Sequence, residues 1–341
     1  MKPMHAVNNG LAGSMRGFTN APLFTEAGIP YARLHDSAFE SRYGGDRAVD
    51  LHRIFRDFSA DENDPASYCF PPTDGYLKTI DKAGVKIFYR LGATIEHAYK
   101  EGTYPPQDFE KWARICEHII LHYTQGWADG FHYDIEYWEI WNEPDCKDGD
   151  GTNPCWQGTD EQFAAFFTAA FRPLKSRFPK LKFGGPAMCS VGSSRFVSVF
   201  FESLQKAGVA LDFYSFHCYT ADPHDLTLVV EKAKEQFETY GQSGAELILN
   251  EYNYVENWEG EGWLKTIRKE KGIEGASCTA AAMSSPSGTA PSRRRPTGGC
   301  STSATPIWPV RISFWDASRC CSRSSWAMTC GFISGAGKQH P

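Results

Sequence analysis

A (β/α)8 barrel with a parallel sheet is the fold class this sequence predicts, and three observations lead there. Short β-rich runs alternate with longer helical runs from residue 4 to residue 250. Nearly every predicted strand ends on a polar or charged residue. The 341 residues exceed the roughly 250 that such a barrel needs.

The predicted strands cover residues 4–8, 31–35, 86–91, 137–141, 182–185, 212–217 and 247–250. Between them, apolar residues at spacings of three and four predict helices over 74–83, 109–123, 161–178, 194–207 and 226–240. The first of these stops at Gly84, a residue suited to ending a helix. A doubly wound open sheet is the rival architecture, but no glycine-rich nucleotide motif is present to favour it. In chain order the strand ends carry Asn8-Asn9, His35-Asp36, Arg90, Asn142-Glu143, His217 and Asn250-Glu251. A barrel brings such ends together at one mouth, where its active site forms.

The pattern breaks after residue 282. Residues 283–341 carry seven Lys and Arg but a single acid, Asp316, among 12 Ser, 6 Pro, 6 Gly and 4 Cys. Runs such as Ser292-Arg293-Arg294-Arg295-Pro296 have neither helical nor strand periodicity. We therefore divide the chain into a barrel, 1–282, and an aberrant tail, 283–341, read as out-of-frame translation or as disordered. On this division the barrel lacks a proper eighth β/α unit, which should follow Thr279.

Two segments carry chemistry. Tyr137-Trp138-Glu139-Ile140-Trp141-Asn142-Glu143-Pro144-Asp145 is a strand that runs into Asn-Glu-Pro, and Leu247-Ile248-Leu249 runs into Asn250-Glu251-Tyr252-Asn253. Two carboxyl groups facing each other about 5–5.5 Å apart are what glycoside cleavage with retention requires. Strands four and seven lie across a barrel mouth and suit that spacing. With Ile29-Pro30-Tyr31-Ala32-Arg33-Leu34-His35-Asp36, Gly184-Gly185-Pro186 and Phe213-Tyr214-Ser215-Phe216-His217-Cys218-Tyr219, these segments resemble glycoside hydrolase family 39, home of β-xylosidases and α-L-iduronidases. The resemblance covers roughly residues 4–282. It implies Glu143 as acid/base, Glu251 as nucleophile and Asn142 as a partner of the sugar 2-OH. It also implies His35, His217 and Tyr219 around the sugar. The implied activity is a retaining glycoside hydrolase, β-xylosidase-like, that needs no cofactor. The alternative is a catalytically impaired carbohydrate-binding barrel, because the eighth strand is lost.

Other residues divide between site and scaffold. Trp258 or Trp263, just after strand seven, is placed to stack on a sugar, or the two form a lid packed on itself. Glu139 points into the barrel or pairs with a base, and Arg33 reads as an interior ion-pair partner. Asp36 could cap a helix. His118 and His122 share a helix face, but no Glu follows the first as a zinc motif requires. The loop 145–151 is rich in Asp and Gly yet lacks calcium-loop spacing. No metal site is predicted. Cys146 and Cys155 flank that loop and are read as packing at its rim, with pairing on oxidation as the alternative.

A net charge of −6 argues against nucleic acid, and no apolar stretch suits a membrane. The expected partner is a glycoside or oligosaccharide. Residues 1–10 show no apolar leader core, and the eleven cysteines form no CxxC pair. We expect a reducing, cytoplasmic compartment.

Overall fold

A computed structural model describes residues 6–9, 11, 19–35, 47–96, 99–147, 151–284, 310–312 and 314–316. Seven parallel strands lie side by side in chain order: β1 (Ala6–Asn8), β2 (Tyr31–Leu34), β3 (Lys86–Leu91), β4 (Tyr137–Ile140), β5 (Lys182–Met188), β6 (Phe213–Tyr219) and β7 (Glu246–Asn253). Helix α1 (Ala21–Glu26) joins β1 to β2, and α2 (Leu51–Ile54) and α3 (Pro71–Lys82) join β2 to β3. The next connections hold α4 (Phe109–Gln125), α5 (Asp160–Arg177), α6 (Ser194–Ala207) and α7 (Pro223–Thr239), and α8 (Gly260–Glu270) and α9 (Ile273–Ser284) follow β7. None of the described helices is long and apolar enough to cross a membrane.

The eighth position departs from a regular unit, as the sequence predicts. It is filled by two three-residue strands, β8 (Val310–Ile312) and β9 (Phe314–Asp316). Strand β8 pairs with β7, and β9 pairs with both β7 and β1. The edges of β1 and β7, which sequence reading leaves open, are thus covered by residues 310–312 and 314–316. No helix follows β9 among the described residues. After Thr279, where a regular eighth unit would begin, α9 continues to residue 284, and strand pairing resumes only at residue 310.

Local signals set the helices. Asp108 accepts from the Lys111 amide at the start of α4, and Gly126 ends that helix with φ +77°. Thr159 and Gln162 form a reciprocal capping box on α5. Their apolar faces pack aromatic on aromatic. Phe167 of α5 meets Phe200 of α6 at 4.9 Å, and Trp112 of α4 meets Phe166 at 4.7 Å. Burying each such ring contributes about 1.5–3 kcal/mol. These rings therefore serve the core.

Inside the barrel the side-chain period of two builds layers. An apolar layer holds Ala6, Phe88, Tyr137, Phe213 and Ile248, with Tyr31 packed against it. Two residues further along each strand come Asn8, Arg33, Arg90, Glu139, Ser215 and Asn250, all buried and all polar. The barrel floor is greasy, and the layer under its mouth is polar.

Candidate active site

The end of β4 is strained, and the strain aims Glu143. Trp141 has φ +76° and Glu143 has φ +46°, conformations that such residues rarely adopt. Neighbouring chain holds them there. The Trp141 amide donates to Leu91 O at 2.8 Å and its indole donates to Cys155 O at 2.9 Å. The Glu143 amide donates to Ala187 O at 2.9 Å. The Asp145 carboxylate accepts from the Cys189 and Ser190 amides and the Ser193 hydroxyl, which staples the loop after β4 to the end of β5. Strained backbone persists where its surroundings over-determine it, and such places cluster at functional sites.

Gly185 makes this arrangement possible. Its φ is +136°, and a Cβ there would lie 2.7 Å from Ile140 O. We expect Gly185→Ala to cost about 1–3 kcal/mol through backbone strain and to displace the end of β4. Urea unfolding checks this, and an unchanged midpoint would refute it.

Strand β7 delivers Glu251 through an irregularity. The register with β6 shifts between Phe216↔Leu249 and His217↔Glu251, so Asn250 is the extra residue. Both Asn250 and Glu251 then reach the interior. Glu251 is held by Tyr219, whose hydroxyl donates at 2.6 Å, and by Arg33, whose Nη1 donates at 2.7 Å. His217 stands between the two acids, with Nδ1 2.7 Å from Glu143 Oε1 and Nε2 3.6 Å from Glu251 Oε1. One donor atom from each of Glu143, His217 and Glu251 lies within 4.8 Å of the other two.

The two carboxyls are driven apart electrically. Burial is the largest influence on Glu143 and pushes it up to about 7, with the hydrogen bond from His217 pulling the other way. Burial presses Glu251 upward too. There His217, His35, Arg33 and the Tyr219 hydroxyl outweigh it and hold the carboxyl well below the usual range. Burial disfavours charge on His217, but Glu251 and Glu143 overcome it and raise the imidazole.

Arg33 is the hub of the polar layer. Its Nε donates to Glu139 at 2.6 Å, its Nη1 to Asn8 at 3.0 Å as well as to Glu251, and its Nη2 to Asn142 at 2.7 Å. Glu139 also accepts from Ser215 at 2.5 Å and from Asn250 at 2.6 Å. Ser215 in turn accepts from the Ala187 amide. Glu139 and Arg33 are thus the paired interior groups that strand alternation predicts. Sequence reasoning missed Asn8, Ser215 and Asn250 as their partners. Period-two alternation was the available signal, but it does not say which polar residues meet.

The other expected residues gather around the same mouth. Asn142 Nδ2, His35 Nδ1 and His217 Nε2 are buried and have no hydrogen-bond partner among the described residues. Burial holds the His35 imidazole well below its ordinary value. Tyr219 meets the Trp258 ring edge-on at 5.2 Å, and Trp258, 49% exposed, stacks on Trp263 at 5.4 Å. Trp258 is therefore beside the residue that bonds Glu251. Arg90 is engaged elsewhere, with Asp50 and the His35 carbonyl. His122 bonds Asp74 and the Trp127 carbonyl, and His118 bonds the Arg114 carbonyl. Asp36 lies outside the described residues, as do 148–150 of the Asp- and Gly-rich loop.

Comparison with known proteins follows the same lines. The sequence model of glycosyl hydrolases family 39 matches residues 36–246, so Glu143 lies inside the matched span and Glu251 just beyond it. A beta-xylosidase of Caldicellulosiruptor saccharolyticus is 28% identical over 183 residues, 47% of this chain and 35% of that protein. A beta-xylosidase of Geobacillus stearothermophilus is 29% identical over 133 residues, 38% of this chain and 24% of that protein. The matched stretch thus spans about a third or less of these relatives. A glucosidase structure from Croceicoccus marinus superposes with a TM-score of 0.64 at 25% identity, covering 82% of this chain and 56% of that one. With more than half of its length matched by the family model, on a barrel carrying the paired acids, the chain belongs to glycosyl hydrolases family 39.

Proposed function

We propose that this chain is a glycosidase that cleaves O-glycosidic bonds with retention of configuration, with Glu143 as acid/base and Glu251 as nucleophile. The observation that carries the reading is the pair itself. Carboxylate oxygens of Glu143 and Glu251 lie within 4.8 Å of each other, and burial pushes Glu143 up to about 7 while its partners hold Glu251 well below the usual range. A separation of about 5–5.5 Å suits direct attack by the second carboxylate, whereas inversion needs about 6.5–9.5 Å to admit a water.

Glu251 attacks the anomeric carbon as Glu143 gives its proton to the leaving oxygen. The glycosyl–enzyme ester is then cleaved by water, whose proton returns to Glu143 as the ester oxygen leaves with Glu251. Tyr219 and Arg33 orient the nucleophile. The unclaimed amide of Asn142 suits the sugar 2-OH, and Trp258 offers an exposed ring for stacking. Among glycosides we favour β-xylosides, on the strength of the two beta-xylosidase relatives.

Proton NMR of the first-formed product tests the mechanism. We expect the anomer of the substrate, and an inverted first product would refute retention. The pH profile tests the roles. Glu251 must be ionised and Glu143 protonated, so kcat/KM should fall as pH rises through about 7. His217 lowers the Glu143 pKa, so His217→Asn should move that alkaline limb to higher pH. A limb that stays in place would sink this assignment of His217.

A further inference from the structure

Three thiols stand beside Glu143 that glycoside cleavage does not use. Cys155 Sγ lies 3.9 Å from Glu143 Oε2. One donor atom from each of Glu143, Cys146 and Cys155 lies within 4.8 Å of the other two. The Cys146 thiol contacts both the Cys155 and the Cys189 thiols by hydrogen bonds. Two segments supply them, the loop after β4 and the turn after β5, and Asp145 ties those segments together through the Cys189 amide at 2.8 Å. The Cys155 amide is fixed on Asn153 Oδ1 at 2.8 Å, and Cys155 itself is buried. The thiols are therefore positioned by built contacts. They are not scattered surface cysteines.

We propose that Cys146, Cys155 and Cys189, with Glu143 as fourth donor, bind a thiophilic divalent cation of the zinc class. Three sulfurs and one carboxylate oxygen make a tetrahedral donor set that zinc accepts, at about 2.3 Å to sulfur and about 2.0–2.2 Å to oxygen. Of the four donors, Glu143, Cys146 and Cys155 already have donor atoms within 4.8 Å of one another. Three S–H bonds and the Glu143 O–H bond break, three metal–sulfur bonds and one metal–oxygen bond form, the protons go to solvent and no electron is transferred. Glu143 is also the acid/base of the proposed mechanism. A bound cation holds the oxygen that must carry the proton, so occupancy inhibits cleavage. That consequence rests on the proposed function, while the binding itself does not.

Cobalt(II) and zinc chloride, added to the full chain, test this. Cobalt should give a thiolate-to-metal charge-transfer band that saturates at one equivalent, and calorimetry with zinc should give the same stoichiometry. Cys146→Ser and Cys189→Ser, each checked for a cooperative melt, should weaken zinc by more than the roughly 10–100-fold that loss of an outer partner costs. Zinc should also protect Cys146 from alkylation in the unaltered chain, a readout that needs no variant. The ratio of glycosidase rates with and without zinc should approach one in both variants. No charge-transfer band, or no protection of Cys146, overturns the site. Zinc inhibition equally strong in folded Cys146→Ser overturns it too, and assigns the cation to Glu143, His217 and Glu251, which offer no sulfur. A saturating band in a chain without glycosidase activity leaves the cation site standing and removes the catalytic reading.

Discussion

Glu251→Gln should lower kcat by more than about 10⁴-fold on every glycoside, because it replaces the anionic carboxylate proposed as nucleophile with a neutral amide. The substitution nearly preserves shape. The amide oxygen can still accept from Arg33, but the amide nitrogen then faces Tyr219 in place of the oxygen that accepts its proton. The fold should survive and the chemistry should not. Glu143→Gln should behave differently. Proton delivery is worth about 10²–10⁴-fold, and its loss matters least where the leaving group needs no proton. An activated aryl glycoside should keep a fast first step in Glu143→Gln and lose the second.

Azide separates the two roles. In Glu143→Ala it fills the vacated space and attacks the glycosyl–enzyme ester, giving a glycosyl azide with retained configuration. In Glu251→Ala it takes the nucleophile's place and gives the inverted azide. Rates on aryl and alkyl glycosides, with product stereochemistry by NMR, decide the matter. Equal losses in both variants on both substrates, with no azide product, would falsify the assignment.

Arg33→Met should destabilise the chain by about 3–5 kcal/mol, the cost of removing one partner from a buried ion pair. Arg33 is fully buried and is shared by Glu139 and Glu251, both nearly inaccessible. Met fills much of the volume but leaves two carboxylates facing each other without their cation. The same change should reach function. Arg33 is among the groups that hold Glu251 low, so its loss raises that carboxyl and moves the acid limb of kcat/KM to higher pH. Arg33→Met with Glu139→Gln should recover part of the stability and little of the activity, because Glu251 remains unpaired. Urea unfolding of both variants together with their pH profiles checks this. An Arg33→Met protein as stable as the parent would show that the ion pair contributes nothing net.

How much of this was legible beforehand depends on the range of the signal. Strand β3 and helix α6 fall on the predicted residues, since the strand is one continuous β-rich run and the helix keeps its apolar residues at spacings of three and four. Helices α1 and α2 leave no signal in the sequence, because six and four residues are too few to show a helical period. Strands β6 and β7 run to Tyr219 and Asn253, past the predicted ends, and a register shift keeps them paired there. A bulge adds a residue without changing composition, so no local pattern reports it. The short strands at 310–316 were hidden for a related reason. Each is three residues long, and its pairing with β7 and β1 is a contact far away in the chain.

By itself the sequence determined the elements, the polar strand ends and the two acids, for these follow from short-range periodicity and from one compact motif around Glu143. Only the tertiary structure decided what those residues are chemically. It placed His217 between the acids and gathered Asn8, Asn142, Glu139 and Glu251 on Arg33. It set Cys189 beside Cys146 across 43 positions of chain. Protonation follows from burial and from partners that fold into contact, and neither is a property of neighbouring letters. Glu143 and Glu251 read alike at their strand ends, and it is their folded surroundings that push the first up and hold the second down.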